Sequence, residues 1–227
     1  MTRIVAIVPM RHDSQRVKGK NYREFVAKPL YHYIVGTLLN CPSIAEVVID
    51  TDSPVILEEA ARLFPSVRLL DRPENLRDGA TPMNDVLLHT TSVVPADFYL
   101  QTHSTNPLLT KASIERAIAT FQEKAPAFDS LFSVTRLQTR LWDQLARPIN
   151  HNAAILLRTQ DLPPVYEENS CIYLFTREIL ARRRNRIGDR PLMFEIDEIE
   201  AQDIDIETNF LLAEQLFRLH RQSGEAL

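Results

Sequence analysis

The chain has 227 residues, 44% of them hydrophobic, which is enough to bury the core of one large domain and too apolar for a disordered chain. Its formal net charge of -4, from 26 Lys and Arg against 30 Asp and Glu, argues against a general nucleic-acid binder, because phosphate backbones demand a basic footprint. The two cysteines, Cys41 and Cys171, lack metal-ligand spacing and read as reduced packing residues of a cytoplasmic protein, and the apolar run from Ile4 to Pro9 is too short for a signal peptide or a membrane span.

"RIVAIVP", Arg3 to Pro9, is a continuous β-branched run that suits an interior strand covered on both faces. The polar, basic "MRHDSQRVKGKN" follows it, at the strand end where open α/β sheets bind ligands. "PLYHYIVGTLLN" predicts a helix from Pro29 with an apolar stripe of Leu30, Ile34 and Leu38; Tyr31 and Tyr33 pack, and His32 is expected at the surface. "EVVIDTD", "PVILEEAARLF" and "SVRLL" then read as strand, helix and strand. A turn-rich loop, "RPENLRDGATP", precedes a helix from Met83 to Thr91, a strand "DFYLQ", a loop "THSTNPLL", a helix over Lys111 to Lys124 and a strand "SLFSV". This alternation predicts an α/β fold with a mainly parallel sheet flanked by helices.

The rhythm breaks between Thr135 and Asn169, where "RP" and "LPP" interrupt any helical period. A segment of that length with its own apolar residues predicts a strand-rich excursion that buries against a partner subunit. Trp142 either anchors that contact or packs its own hairpin. "CIYLF" and "LMFEI" resume the sheet, and a last helix runs from Glu207 to Leu219. The arginines of "TREILARRRNRIGDR" lack interleaved aromatics and read as a solvated helix end and turn.

Two constellations carry chemistry. Arg11, Arg16, Lys18, Lys20 and Arg23 concentrate positive charge after the first strand, with Ser14 and Asn21 as hydrogen-bond donors, so either side chains grip a triphosphate here or the loop is a solvated charged surface. No "GxGxxG" or "GxxxxGK[ST]" is present, which disfavours a dinucleotide enzyme or a P-loop ATPase. In "AQDIDIETNF", Asp203 and Asp205 stand two residues apart, about 6.5 Å in an extended segment, and would share one face while Ile204 and Ile206 enter the core. Such a pair either holds one magnesium ion whose other sites take water and phosphate, or is a solvent-exposed strand edge with Glu207 as a first-turn acid of the last helix. Asp52 either meets a ribose or caps the helix near Pro54, for which Ser53 competes. Arg72 and Asp78 either shape a base-reading loop or close it by a salt bridge.

The ordered set "VAIVPMRHDSQRVKGKN", "TDS", "RPENLRDGATP", "TNPLL", "QDLPPVYEENSCIY" and "DIDIETN" resembles the acylneuraminate cytidylyltransferases, including enzymes for related keto-sugar acids, from Ile4 to about Leu219. The resemblance implies a Rossmann-like nucleotide-diphospho-sugar transferase fold, a single domain spanning 1–227 with a dimerisation and acceptor-site arm at 136–168, and transfer of CMP from CTP to a 2-keto sugar acid with release of pyrophosphate. It implies Arg11 and Lys20 as triphosphate ligands and catalytic groups, with Ser14 beside them. Asn21, Arg72, Asp78, Ala80 and Thr81 fall in the cytidine site, Asp203 and Asp205 become magnesium ligands and catalytic groups, and the enzyme is a homodimer. On the acceptor side it implies His103, Arg158, Gln160 and Asn169.

That side departs from the family pattern. "THSTNP" replaces "LQPTSP", putting His103 where the family glutamine stands; "RTQDLPP" moves Arg158 one position early and leaves Thr159 in the arginine's place; and "ENS" replaces "NG", keeping Asn169 while adding Glu167, Glu168 and Ser170. Glu167 and Glu168 either favour an acceptor with a free amine or more hydroxyls, or are plain surface acids. Two other readings compete with the cytidylyltransferase: a nucleotidyltransferase acting on a sugar 1-phosphate, and a noncatalytic nucleotide or sugar-acid binding protein.

Overall fold

The computed structural model describes residues 2–125 and 127–222. Strand β1, Ile4–Met10, is buried along its whole length. Because side chains alternate across a strand, Ile4, Ala6, Val8 and Met10 enter one apolar cluster and Val5 and Ile7 enter another on the opposite face. A short hairpin follows, β2 at Glu24–Phe25 and β3 at Lys28–Pro29, and then helix α1, Tyr31–Leu39. Pro29 therefore closes a hairpin, and Leu30 occupies the cap position of the helix expected to begin at the proline. His32 is buried, with Nε2 3.1 Å from Glu59, so the expectation of a surface histidine fails: a hydrogen-bonded carboxylate makes its burial tolerable.

The chain continues through β4 (Glu46–Thr51), α2 (Pro54–Leu63), β5 (Arg68–Asp71), α3 (Met83–Val93), β6 (Phe98–Gln101) and α4 (Lys111–Lys124). Then come β7 (Ser130–Leu137), β8 (Val165–Phe175), α5 (Arg177–Arg183), β9 (Pro191–Glu195) and α6 (Glu207–Gln222). The seven-stranded sheet has the order β5-β4-β1-β6-β8-β7-β9. Only β8 runs antiparallel to its neighbours β6 and β7. Helices α1, α2 and α4 cover one face through Ile34, Ile56 and Ile118, while α3 and α5 cover the other through Leu87 and Leu180. The fold is thus α/β with a mostly parallel sheet flanked by helices, as the alternation predicted.

The strand sequence moves outward from β1 to β4 and β5, then returns to β6 on the other side of β1. That reversal opens a crevice beyond the carboxyl ends of β1 and β6, where open α/β sheets bind ligands. A third apolar cluster fixes the C-terminal segment over this end: Phe210 and Phe217 of α6 pack edge-on against Phe25, beside Val17 of the basic loop and Ile204.

Residues 138–164 between β7 and β8 are mostly turns, with one isolated bridge pairing Trp142 and Pro148 and a short three-ten helix at Thr159–Asp161. The strand-rich expectation fails here because side chains take over the backbone's hydrogen bonds. Asn150 accepts from the Leu141 amide and donates to the carbonyls of Thr139 and Pro163, and Asp143 accepts from the amides of Leu145 and Arg147. Trp142 is half exposed, edge-on to His151.

Candidate active site

The basic loop is shaped by few contacts. Gly19 has a φ of +62°, and a Cβ there would lie 2.8 Å from the Tyr22 ring, so the turn that brings Lys20 back toward the sheet requires glycine. Tyr22 stacks on His12, whose amide donates to Asp52 Oδ1. Ser53 caps α2 by accepting from the Ile56 amide, which leaves Asp52 as an anchor for the loop. Asn21 locks the loop from inside, donating to the Arg11 carbonyl at 2.7 Å and accepting from Ser104 Oγ at 2.7 Å.

The crevice is a cavity of about 400 Å³. Arg11, Ser14, Arg16 and Lys20 line it from the loop, Arg72 and Gly79 from the segment after β5, His103, Ser104 and Thr105 from the segment after β6, and Ser170, Asp203 and Asp205 from the far wall. Arg11 donates to the Gly79 carbonyl at 2.7 Å, tying the basic loop to the 72–81 segment and leaving other guanidinium donors for a ligand. Arg72 is almost fully buried and binds Asp50, not Asp78: its Nε is 2.7 Å from Asp50 Oδ1, and Thr90 Oγ1 donates to the other carboxylate oxygen. Asp78 instead accepts from the Ala80 amide, and the Thr81 amide donates to the Asp78 carbonyl, so these three residues make a turn of their own and do not line the cavity.

Asp203 and Asp205 are aimed by the residue between them. Ile204 is fully buried, its amide donates to the Thr105 carbonyl at 3.0 Å, and its carbonyl accepts from Lys20 Nζ. Ile206, expected in the core, is 47% exposed, because the chain leaves the extended conformation at that point to enter α6. Asp205 binds Arg16 at 2.6 Å and lies 4.0 Å from Lys20 Nζ. Burial raises the Asp203 carboxyl above its ordinary pKa, and Asp205 adds to the rise. Burial likewise lowers the Lys20 ammonium, against the pull of Asp203 and Asp205. Asp203 Oδ1 is buried without a hydrogen-bond partner, a costly state that a cation would relieve. Among the described residues no group of three or more His, Cys, Asp or Glu could hold a metal; a hard divalent ion bound here would find two carboxylates, those of Asp203 and Asp205, and would need water and phosphate oxygens to complete its shell.

A second cavity, of about 520 Å³, meets the first at Ser170, Asp203 and Asp205 and is lined on its far side by Glu167, Glu168, Asn169 and Glu198. A bulge in β8 builds this seam. Phe132 pairs with Tyr173 and Val134 with Glu168, so Ser133 alone faces residues 169–172. Asn169 holds the bulge, accepting from Ser133 Oγ at 2.6 Å and donating to Thr135 Oγ1 at 3.0 Å. Ser170 carries a φ of +61°, and its hydroxyl lies 3.0 Å from the Tyr173 hydroxyl. Arg158 pairs with Asp161 at 2.8 Å, and the Gln160 carbonyl accepts from Gln138; both belong to the arm and line neither cavity of their own chain. Gly79, Thr105 and Ser170 were not singled out as site residues from the sequence. Gly79 and Ser170 do sit within the motifs "RDGATP" and "EENS", where a backbone carbonyl and a left-handed turn matter more than a reactive side chain.

A sequence model of the family described as "Cytidylyltransferase" matches residues 5–223. The chain belongs to the cytidylyltransferase family. Among its relatives, the pseudaminic acid cytidylyltransferase of Campylobacter jejuni is 24% identical, over 97% of this chain and 98% of that protein. The CMP-N,N'-diacetyllegionaminic acid synthase of Legionella pneumophila is 27% identical, over 97% of this chain and 99% of that protein. The solved structure of CMP:2-keto-3-deoxy-manno-octonic acid synthetase complexed with CTP superposes with a TM-score of 0.72 at 16% identity, covering 96% of this chain and 100% of that one, and shares the fold. In this cytidylyltransferase the first cavity is the cationic crevice at the strand-order reversal, and the second opens from its acidic wall.

Proposed function

We propose that the protein transfers CMP from CTP to the anomeric hydroxyl of a 2-keto sugar acid of the nonulosonic or deoxy-octulosonic class, releasing pyrophosphate. The observation that carries this reading is the convergence of Arg11, Lys20, Asp203 and Asp205 on one cavity at the carboxyl ends of β1 and β6. The relatives named for pseudaminic, legionaminic and octulosonic acids support the acceptor class.

In this reaction the acceptor oxygen attacks the α-phosphorus as pyrophosphate leaves opposite it, so positioning and charge stabilisation are the main demands on the protein. Arg11 and Lys20 bind the β and γ phosphates and neutralise charge on the departing pyrophosphate. Asn21 holds the loop closed around them, while Arg72, fixed by Asp50, and Gly79 form the nucleoside wall. Magnesium held by Asp203 and Asp205 supplies Lewis-acid polarisation of the α-phosphoryl group when bound. The acceptor spans the Ser170 seam, its body in the second cavity and its carboxylate end reaching into the first, where His103 stands.

The arm exposes Trp142, Leu145, Ile149, Ile155 and Leu156, the last 89% accessible. We infer that a second copy of the chain covers this surface and that Arg158 and Gln160 complete the partner's acceptor site, which accounts for their distance from their own chain's cavities. The described residues include no helix long and apolar enough to cross a membrane, and the reading is of an enzyme of the cytoplasm. CTP-dependent pyrophosphate release, measured with magnesium across a panel of nonulosonic and octulosonic acids, tests the function. Folded protein that turns over none of them would overturn it.

A further inference from the structure

Arg182, Arg183 and Arg184 pair at the surface with Asp189 and Asp85, as expected of a solvated helix end. Arg186 departs from that expectation and turns inward. Its guanidinium lies 3.6 Å from the centre of the Tyr173 ring, and NH1 donates to Gln101 Oε1 at 2.6 Å. A guanidinium has only donors, so the Gln101 amide must turn its oxygen toward Arg186 and its NH2 away. That NH2 lies 2.9 Å from Nε2 of His103. An amide nitrogen donates and does not accept, so Nε2 of His103 is the lone-pair nitrogen and the ring proton sits on Nδ1.

We propose that Arg186 is a positioning residue that, through Gln101, fixes His103 as the Nδ1–H tautomer and makes it a hydrogen-bond donor to an oxygen of the acceptor sugar acid. The acceptor's part in this rests on the cytidylyltransferase reaction proposed above; the position of the proton does not. His103 lines the first cavity beside Ser104 and Thr105, and its Nδ1 has no hydrogen-bond partner among the described residues. Burial, and after it the cations Arg186 and Lys20, hold the ring neutral, with its pKa pushed down to about 3. A neutral ring with its proton fixed on Nδ1 reproduces the donor half of an amide, the group that the acylneuraminate enzymes carry at this place in the sequence.

The test reads the proton directly. In the free full-length protein labelled with 15N-histidine, the signal lost in His103→Gln belongs to His103. It should show a protonated Nδ1 and a bare Nε2, unchanged from about pH 8 to about pH 5. Arg186→Met frees the amide to rotate, so the second tautomer should appear, and the KM for the acceptor should rise about fivefold to tenfold, the loss of one hydrogen bond, with the KM for CTP unchanged. Gln101→Glu keeps a partner for Arg186 but offers His103 only an acceptor, so its proton should move to Nε2 or the ring should become an imidazolium. In the His103→Gln background, Arg186→Met should no longer alter the acceptor KM. A wild-type signal protonated at Nε2, or an Arg186→Met protein with unchanged spectrum and acceptor KM, would sink the proposal. If no acid is turned over, the reaction fails, while the tautomer is still read from the free protein and stands or falls separately.

Discussion

The two cavities that meet at Ser170, Asp203 and Asp205 differ in charge and in construction. The first joins Arg11, Arg16 and Lys20 of one loop to Arg72 from far along the chain, and that loop is tied across the site to Gly79, Ser104 and Ile204. The second is walled by Glu167, Glu168 and Glu198 and hangs on one bulge held by Asn169. A polyphosphate is drawn to the first and repelled by the second. An acceptor's hydroxyl and amide groups tolerate the acidic side, while its carboxylate is better placed toward the cations. Asp203 and Asp205 stand where the two cavities meet.

The sharpest way to break the first cavity is at its buried support. Asp50→Asn or Arg72→Met leaves one member of a fully buried ion pair unmatched and should cost about 3–5 kcal/mol of stability in urea denaturation. A loss below about 1 kcal/mol would mean that the Arg72 wall is not held as described. Next in size, Asp203→Asn and Asp205→Asn should each lower pyrophosphate release about 10²- to 10³-fold with the fold intact. Glu198→Gln, in the acidic cavity alone, should leave the rate with saturating acceptor within about threefold, since it removes no group that stabilises the transition state. Equal losses at Glu198 and Asp203 would erase the distinction between seam and outer wall.

A smaller effect follows from His103, whose folded pKa of about 3 lies below the unfolded value. The unfolded chain takes up a proton that the native ring refuses, so this group's contribution to stability is complete above about pH 6.5 and shrinks as the pH falls toward the folded pKa. His103→Gln should flatten the acid side of the stability profile by up to about 1.4 kcal/mol per pH unit, read as urea midpoints at neutral and mildly acid pH. Arg16→Ala removes a solvent-exposed ion pair with Asp205 and should change stability by at most about 1 kcal/mol, while weakening CTP binding most at low salt. Leu156→Glu in the arm should move the stability of the isolated subunit by no more than about 0.5 kcal/mol, because that side chain is already in water. The same change should convert a dimer to monomers in light scattering, and an unaltered oligomeric state would release the arm from that role.

Much of the fold was legible in the chain because its signals are local. The β-branched run of β1, the helix over Lys111–Lys124 and the alternation of strand and helix each follow from side-chain periodicity. The pairing of Asp203 and Asp205 around Ile204 was legible for the same reason, and the core position of Ile204 matches it. The failures share a different cause. Pro29 in a hairpin, buried His32 and exposed Ile206 were decided by distant partners such as Glu59 and by where the chain turns into α6. In the arm, Asn150 and Asp143 replaced the expected strands with side-chain hydrogen bonds.

Sequence alone settled the α/β alternation, the cationic loop without a phosphate-binding glycine motif, and the spacing of the two aspartates, since each depends on neighbours within one turn or strand. Only the folded chain matched Arg72 with Asp50, sent Arg186 inward to Gln101 and His103, and set Ser170 between a cavity of mixed charge and an acidic one. Those choices join residues tens of positions apart, and the energy of a buried charge or hydrogen bond depends on which partner reaches it, a quantity that no stretch of one strand contains.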